Sequence, residues 1–298
     1  MPIDTKELMK QVAKIKVITN RLVDQHLTGA YHSVFKGQGI EFDEVREYFP
    51  GDDVRSIDWN VTARMGHPYI KRFSEEREQT VIFVVDISGS QCFGSKTRSK
   101  AEAAAEITCL LALSAIKNQD NIGLVLFSNQ IEKCIPPRKG RTAAMRLVRE
   151  VLAADETTNG TDIAEALRFL NKVQKRKAVV FLISDFLDTN YEKELRITAK
   201  RHDVICCPIS DPHELSLPNV GLIELEDAET GELQIIDTSS KSLRKAFANK
   251  AQSDLEELLT MFRKNKVDHI QFSTDTEDSY VNDIRQLFRK RQIRAKRG

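Results

Sequence analysis

The chain has 298 residues, of which 41% are hydrophobic and 30% are charged, as is ordinary for a globular protein that buries a sizeable core. Its 45 basic and 44 acidic residues nearly cancel, so net charge does not indicate a protein that coats nucleic acid or anionic membranes. No apolar run approaches the roughly 18 residues of a membrane span, and Met1–Asn20 lacks the apolar core of a signal peptide. We therefore expect a cytoplasmic protein without a membrane span.

The cysteines and histidines are dispersed along the chain. The five cysteines are an odd number and show no CxxC spacing, so we expect reduced, mostly buried thiols rather than disulfides or a zinc site. The six histidines include no pair at metal-ligand spacing, and each is expected to be structural or exposed.

The first part of the chain predicts a helix and then a small β-rich unit. Apolar residues recur at steps of four and three between Leu8 and Leu22, which predicts an amphipathic helix over Lys6–Gln25. From Tyr31 to Thr80 the pattern changes to short, turn-rich pieces with moderate alternation. The extended pieces are Phe42–Tyr48, Ile57–Trp59 and Tyr69–Phe73.

The segment Val81–Ser90 is the one around which the rest of the chain is organised. Five apolar, mostly β-branched residues are followed by Asp86, Ser88 and Ser90. Such an apolar run predicts a strand buried on both faces, as in a parallel sheet with helices on either side. The polar residues fall where this strand ends, and open α/β sheets bind their ligands outside the carboxyl ends of the strands.

Apolar strands then alternate with helices, which predicts a doubly wound, mostly parallel α/β sheet. The predicted helices are Lys100–Lys117, Thr142–Ala154, Asp162–Val173, Tyr191–Arg201, Ser242–Lys266 and Ser279–Arg291. The predicted strands are Ile122–Phe127, Ile131–Ile135, Ala178–Ile183, Asp203–Ile209 and His269–Phe272, with a hairpin of Val220–Glu226 and Glu232–Asp237. The short link Ser128–Asn129 makes the next strand an antiparallel edge strand, which Pro136 and Pro137 are expected to end. We divide the chain into an N-terminal unit, residues 1–79, and an α/β domain, residues 80–298.

Oxygen-bearing side chains from three loops indicate a metal site at one edge of this sheet. Asp86, Ser88 and Ser90 belong to the first loop, Thr161 precedes a helix, and Asp185 follows a later strand. Oxygen ligands with one or two carboxylates suit Mg²⁺, with Mn²⁺ or Ca²⁺ as alternatives. The pattern, an Asp-x-Ser-x-Ser with a distant Thr and a distant Asp, resembles the metal-ion-dependent adhesion site of the von Willebrand factor type A domains.

This resemblance implies a non-enzymatic protein-interaction module. In the family that it resembles, the first loop binds Mg²⁺ directly, and the Thr and the last Asp bind it directly or through water. An open coordination position then accepts an Asp or Glu of a partner protein. The charge left on the cation gives a strong contact with that carboxylate. The sequence also places no histidine in the three loops that could act as a general base.

Other interpretations of the same residues remain open. Ser88 and Ser90 could cap the next helix while Asp185 closes a turn, without any metal. Gly89–Thr97 is similar to a phosphate-binding loop, although its lysine comes one residue too late for the β- and γ-phosphates. The alternative function is therefore a nucleotide-binding or phosphoryl-handling enzyme that uses Asp86 and Asp185. The site could also be vestigial.

A second resemblance lies in the N-terminal half. Its motifs are Gly37-x-Gly39-Ile40-x-Phe42, Arg46–Arg55, Ile57–Trp59, Thr62–Arg64 and Glu75–Arg77. Together they resemble the signature of the bacterial family called domain of unknown function 58, in which a type A domain follows the signature directly. Members of that family are commonly encoded beside MoxR-type AAA+ ATPases and are thought to act as adaptors in assembly or maturation. The resemblance thus implies a MoxR-type ATPase as partner.

The remaining residues of interest are aromatic or charged. We expect Trp59 to pack in a core rather than contact a ligand. The acids and arginines of the signature form either an ion-pair lattice that fixes the N-terminal unit to the sheet or a partner-binding surface; they are Glu44, Arg46, Asp58, Arg64, Arg72, Glu75 and Arg77. The run from Arg285 to Gly298 has seven basic residues and no acid, and we expect a solvated helix end anchored by Leu287 and Phe288. We expect no binding of nucleic acid.

Overall fold

The described part of the chain contains a central, mostly parallel β-sheet with helices on both faces. The computed structural model describes residues 39–76, 78–94, 98–154, 160–226, 233–275 and 279–297, and positions 12, 13, 15, 19, 23 and 31. Most of the predicted N-terminal helix lies outside these residues, although positions 12, 13, 15 and 19 are helical. The strands are β1 (Gly39–Glu47), β2 (Tyr69–Glu76), β3 (Thr80–Asp86), β4 (Asn121–Phe127), β5 (Ile131–Arg138), β6 (Val179–Ser184), β7 (Asp203–Ser210), β8 (Leu222–Glu226), β9 (Leu233–Asp237), β10 (Asp268–His269) and β11 (Phe272–Ser273).

Helices of very different length connect these strands. They are α1 (Trp59–Met65), α2 (Lys100–Lys117), α3 (Arg141–Leu152), α4 (Ile163–Val173), α5 (Glu192–Arg201), α6 (Pro212–Leu215), α7 (Lys241–Lys264) and α8 (Ser279–Arg297). Two short 3₁₀ turns, Val54–Ser56 and Gly89–Cys92, complete the regular structure of the described residues. Each predicted helix of the α/β domain is present, with ends within a few residues of those expected from the sequence except for α8, which runs six residues further, to Arg297.

The central sheet has the order β10-β7-β6-β3-β4-β5, and β11 also pairs with β7. All of its pairs are parallel except β4 with β5. β3 lies in the middle because its apolar side chains alternate into cores on both faces. Val81, Phe83 and Val85 pack with α2, α3 and α8, while Ile82 and Val84 pack with α4, α5 and α7. This arrangement confirms the predicted doubly wound, mostly parallel sheet.

The antiparallel edge strand is confirmed, but its predicted end is wrong. β5 continues through Pro136 and Pro137 to Arg138, which pairs with Ile122. An edge strand needs hydrogen bonds on one side only, so it tolerates proline where a central strand would not. The ladder is irregular next to these prolines, and a side chain on Gly123 would come within 3.1 Å of the Ile135 carbonyl oxygen and 3.2 Å of the Pro137 ring. Glycine therefore lets the two backbones approach.

The predicted small N-terminal β unit is present, but one of its predicted extended pieces leads into a helix. β1 and β2 form an antiparallel pair with a bulge between Phe42 and Glu44. Of the predicted piece Ile57–Trp59, only Ile57 makes a β-bridge, to Ile70. Asp58 instead caps α1 by accepting hydrogen bonds from the N–H groups of the next turn, which makes Trp59 the first helical residue.

The prediction that Trp59 is a core residue is wrong. Its side chain is 69% exposed, because α1 is short and buries none of its residues. Phe49, Val54 and Met65 are also exposed in the same unit. These four side chains, which we call the signature surface, are apolar groups that face solvent.

The C-terminal helix α8 is anchored more firmly than a solvated end. Leu287 and Phe288 are buried, as predicted. Arg291 donates two hydrogen bonds of 2.8 Å to Asp203, at the start of β7, and one of 2.7 Å to Asp268, at the start of β10. The prediction of a solvated helix end is therefore wrong for Arg291, since its guanidinium neutralises two acids at the amino ends of neighbouring strands.

Candidate functional site

The carboxyl ends of β3 and β6 meet at one rim of the sheet, because these two parallel strands are neighbours. β3 ends at Asp86 and β6 at Ser184. The loop after each strand carries polar side chains, and four of the five residues predicted to bind metal lie at the end of β3 or in these two loops. Among the described cysteines, Cys109, Cys206 and Cys207 are buried and Cys134 is exposed.

Asp86 is the buried end of this cluster. Its Oδ2 accepts a 2.6 Å hydrogen bond from the Ser184 hydroxyl, and its Oδ1 accepts one of 2.9 Å from the Ser88 backbone N–H. Burial, and then the charge of Asp185, raise the pKa of Asp86 to about 7, although these hydrogen bonds act in the opposite direction. A nearby cation would therefore relieve both the burial penalty and the repulsion.

The two serines connect Asp86 to Asp185. The hydroxyls of Ser88 and Ser90 lie 3.1 Å apart, and Ser90 donates a 2.7 Å hydrogen bond to Asp185 Oδ2. Ser88 occupies the cap position of the 3₁₀ turn but makes no side-chain capping bond, so capping does not explain its hydroxyl. Asp185 does close a turn, since its Oδ1 accepts from the Leu187 N–H at 3.3 Å. The structure thus brings Asp86, Ser88, Ser90 and Asp185 into one hydrogen-bonded cluster.

Thr161 lies in a third loop, which leads into α4. Its neighbour Asp162 donates a backbone hydrogen bond of 2.8 Å to the Ser128 carbonyl, and Asp162 caps α4 by accepting from the Glu165 N–H. Ser128 follows β4, and β4 is joined to the loop of the cluster by the Ile87 N–H to Phe127 carbonyl bond. No hydrogen bond joins Thr161 to the cluster among the described residues, and its role as a metal ligand stays a prediction.

Three further residues at the cluster were missed by the sequence analysis, and they are Lys100, Glu214 and Ser184. Lys100 is fully buried at the start of α2, and its Nζ lies 2.8 Å from Asp185 Oδ2 and 2.6 Å from Glu214 Oε1. Burial favours a lower pKa for Lys100, but the two carboxylates overcome it and raise the pKa, so the ammonium stays charged. Ser184 belongs to the cluster because its hydroxyl donates to Asp86. No local pattern marks these residues, because the contacts join segments that are far apart in sequence.

The donor set fits a hard cation that keeps several waters. No group of three His, Cys, Asp or Glu side chains that could hold a metal occurs in the described ranges, so two carboxylates and the hydroxyls would have to act together with water. Gln91, in the same loop, buries a side-chain amide whose oxygen and nitrogen have no hydrogen-bond partner among the described residues. Buried polar groups are nearly always hydrogen-bonded in folded proteins, and a water or an ion is one partner that can satisfy such an amide.

A cavity of about 830 Å³ begins at the cluster. Asp185 and Glu214 form part of its wall, and the rest comes from the ends of β7 and β11 and from facing sides of α7 and α8. Its apolar wall consists of Leu187, Leu215, Phe247, Leu255, Leu258, Ile270, Phe272 and Leu287, among others. Leu187 is 71% exposed although it lies only two residues after Asp185. The cluster therefore borders a largely apolar recess that is open to solvent and whose lining also includes Lys250, Asp254, Asp283 and Lys290.

Four charged residues of the N-terminal signature pair within their own unit. Arg46 holds Asp52 by two hydrogen bonds of 2.9 and 2.7 Å, Arg72 lies 3.3 Å from Glu44, and Lys71 lies 3.4 Å from Asp58. The Arg46 pair lowers the pKa of Asp52 and closes the turn in which Asp52 also accepts from the Phe49 N–H. These pairs do not reach the central sheet. Arg77 and the side chain of Glu75 lie outside what the structure describes.

Comparison with known proteins identifies the family. The family described as "Protein of unknown function DUF58" matches residues 44–257, which confirms the family predicted from the sequence. Among curated proteins, the chain is 28% identical over 299 residues to uncharacterized protein Rv1480 of Mycobacterium tuberculosis; the match covers 99% of this chain and 93% of that protein.

Solved structures of similar fold are remote in sequence. One is an aerotolerance-related membrane protein from Bacteroides fragilis, with a TM-score of 0.44 and 15% identity over 71% of this chain and 99% of that chain. Another is the SpRpn10 VWA domain, with a TM-score of 0.37 and 11% identity over 70% and 95%. The first is described as a membrane protein, which contradicts our prediction of a cytoplasmic location. In the described parts of the chain, no helix is long and apolar enough to cross a bilayer.

Proposed function

We propose that this chain, which belongs to the DUF58 family, is a protein-interaction module that binds a partner carboxylate through a divalent cation. Mg²⁺ is the first candidate, with Mn²⁺ or Ca²⁺ as alternatives. Asp86, Ser88, Ser90 and Asp185 would hold the cation, and Thr161 would complete the set. The observation that carries the proposal is the hydrogen-bonded cluster of the first four residues at the rim of the sheet.

The charges of the cluster support a recognition role. Only two of the predicted ligands are carboxylates, so a bound divalent cation would keep exchangeable waters and attract an incoming Asp or Glu. When bound, the cation supplies a Lewis-acidic contact for that carboxylate. The Ser90 hydroxyl holds Asp185 in place, and the Ser184 hydroxyl holds Asp86.

The surroundings of the cluster also favour a protein partner. Leu187 and Leu215 are exposed beside Asp185 and Glu214, and they open onto the apolar recess. Exposed apolar patches that are rimmed by polar residues mark protein-interaction or ligand-binding sites. An acidic residue of the partner would contact the cation, and a neighbouring apolar side chain would enter the recess.

We further propose a MoxR-type AAA+ ATPase as partner, on the strength of the family, and a non-enzymatic role. The signature surface of Phe49, Val54, Trp59 and Met65 gives a second area for contact, because exposed aromatic and aliphatic groups of this kind are enriched at interfaces. The competing function is an enzyme that handles nucleotides or phosphoryl groups with Asp86 and Asp185. No observation in the described residues favours it.

Isothermal titration calorimetry tests the cation site. Mg²⁺ or Mn²⁺ should bind the wild-type chain, and Asp86→Ala should weaken binding at least about tenfold, because a ligand carboxylate is lost. Asp237→Ala, which removes an exposed acid at the end of β9, should leave cation binding unchanged. ATP should give no binding heat. Equal cation binding by wild type and Asp86→Ala would contradict the site.

Binding to a purified MoxR-type ATPase tests the partner. The immobilised wild-type chain should retain the ATPase in Mg²⁺ and release it in EDTA, and Ser88→Ala should retain less in Mg²⁺. Retention that is equal in EDTA and in Mg²⁺ would mean that the module binds elsewhere and that the cation site is vestigial.

A further inference from the structure

Lys100 is a fully buried cation that the proposed function does not use. Its Nζ touches Asp185 Oδ2 at 2.8 Å and Glu214 Oε1 at 2.6 Å, and its side chain has no exposed surface. Burying an ammonium is costly unless it is paired and hydrogen-bonded, and here two carboxylates meet this requirement. The sequence supplies the position through Ser99, whose hydroxyl and Glu102 form a capping box that fixes the first turn of α2.

The same carboxylate oxygen belongs to the candidate metal cluster and to the lysine pair. Asp185 Oδ2 accepts from the Ser90 hydroxyl at 2.7 Å and from Lys100 Nζ at 2.8 Å. A cation that bound this oxygen would therefore meet an ammonium already in contact with it. Glu214 gives Lys100 a second partner that is not among the predicted metal ligands.

Glu214 also ties this lysine to α6 and to the outer edge of the sheet. Its Oε2 accepts from the Asp211 N–H at 2.8 Å, and Asp211 Oδ2 accepts from the Thr274 hydroxyl at 2.6 Å. Lys100 thus joins the start of α2 to the loop after β6 and to the segment after β7. Three loops of the rim meet at one ammonium.

Carboxyl groups outnumber ammonium groups around Lys100. Asp86, Asp185 and Glu214 are three carboxyl groups, and Lys100 is the ammonium that contacts two of them. Without Lys100, Asp185 would be left with a serine hydroxyl and a weak backbone contact, while Asp86 still faces it. Mutual repulsion would then push these loops apart.

We infer that Lys100 is a resident counter-cation, which holds the rim of the sheet together in the absence of metal by sharing its charge between Asp185 and Glu214. The following consequence rests on the proposed function, because it requires that the cluster binds a divalent cation. A divalent cation at the cluster competes with Lys100 for Asp185, so wild type gains less stability from the metal than a variant without the lysine.

Thermal unfolding of the full chain in EDTA and in Mg²⁺ tests this inference. Lys100→Met keeps the apolar stem and removes the charge, and in EDTA it should lower Tm by about 10 °C, as expected when a buried pair loses one partner. Lys133→Met removes a half-exposed lysine that pairs with Glu150, and it should lower Tm by no more than about 2 °C. Saturating Mg²⁺ should raise Tm more in Lys100→Met than in wild type.

A double variant keeps the test decisive if Lys100→Met does not fold. Lys100→Met with Asp185→Asn removes both charges, so it should regain most of the lost Tm. A Lys100→Met chain as stable in EDTA as Lys133→Met would overturn the inference, and so would a double variant that is no more stable than Lys100→Met.

The metal response separates this inference from the proposed function. If Mg²⁺ stabilises neither wild type nor Lys100→Met, while the loss and its rescue by Asp185→Asn persist, the counter-cation role stands and the cation site of the proposed function fails. If Mg²⁺ stabilises wild type and Lys100→Met equally, the competition is refuted.

Discussion

Burial and the neighbouring charge of Asp185 both raise the pKa of Asp86. The pKa of Asp86 lies at about 7 in the folded chain against an ordinary value of 3.8. At pH values between about 4 and about 7, Asp86 is therefore protonated in the folded state and ionised in the unfolded state. The metal-free chain should therefore gain stability as pH falls from about 7 to about 4 and lose it as pH rises through the same window.

The size of this effect can be measured by urea unfolding in EDTA. A difference of roughly three pKa units corresponds to a change on the order of 4 kcal/mol in the free energy of unfolding across the window. Asp86→Asn cannot titrate, so its stability should change less between pH 5 and pH 8 than that of wild type. Mg²⁺ affinity should also fall below pH 7, because protons compete for the carboxylate. An identical pH dependence in Asp86→Asn would contradict the assignment.

Trp59 gives a prediction opposite to the one that its residue type suggests. Because the side chain is mostly exposed, Trp59→Ala should change the free energy of unfolding by no more than about 0.5 kcal/mol. Phe83→Ala, at a buried aromatic position of β3, should cost about 4 kcal/mol. Trp59→Ala should nevertheless weaken binding to the MoxR-type ATPase. Chemical unfolding and a binding titration on the same samples would show both effects, and a large loss of stability would place Trp59 in a core after all.

At the scale of elements, α2 connects a helix cap to the candidate site. Ser99→Ala removes the capping box and should lower the free energy of unfolding by about 1 kcal/mol. Since Lys100 lies in the first turn, the same change should also shift the affinity for Mg²⁺. Ser240→Ala removes the cap of α7, where the hydroxyl accepts from the Leu243 N–H at 3.4 Å. This control should leave Mg²⁺ binding unaltered, and a shift common to both variants would argue against local coupling through α2.

The elements themselves were largely predictable from the sequence. Strands buried on both faces give continuous apolar runs, and α2 gives a helix pattern with a capping serine, so β3, β6 and α2 were found with accurate ends. The rule that proline ends a strand failed in β5, because the rule holds for strands paired on both sides. The prediction that Trp59 is buried failed because the burial of a short helix depends on the elements that pack against it. The residues of the helix itself do not determine this packing.

The candidate site was predictable only in part. Asp86, Ser88, Ser90 and Asp185 follow strands that lie side by side, so strand order alone brings them together. Lys100 contacts Asp185 and Glu214 across 85 and 114 residues. No periodicity or spacing indicates a pair at such separations. A lysine at the first turn of a helix is ordinarily exposed, and only the packed structure shows that this one is buried.

At the scale of the whole molecule, Arg291 fastens α8 to the end of the sheet opposite the cluster. Arg291→Ala would leave Asp203 and Asp268 unneutralised at the starts of adjacent strands, and it should cost about 2 to 3 kcal/mol of unfolding free energy. Arg289→Ala, an exposed neighbour, should cost no more than about 0.5 kcal/mol. Hydrogen exchange should show faster opening of α8 in Arg291→Ala alone. Equal protection in the two variants would mean that Leu287 and Phe288 anchor the helix unaided.

The two margins of the central sheet limit how this protein can associate with others. Pro136 and Pro137 remove two N–H donors from β5, and at the opposite margin β10 and β11 are only two residues long each. Proline on an edge strand and very short edge strands both discourage the pairing of a foreign strand. Assembly through a shared sheet is thereby disfavoured at both margins, so partners are expected to be selected by side-chain contacts.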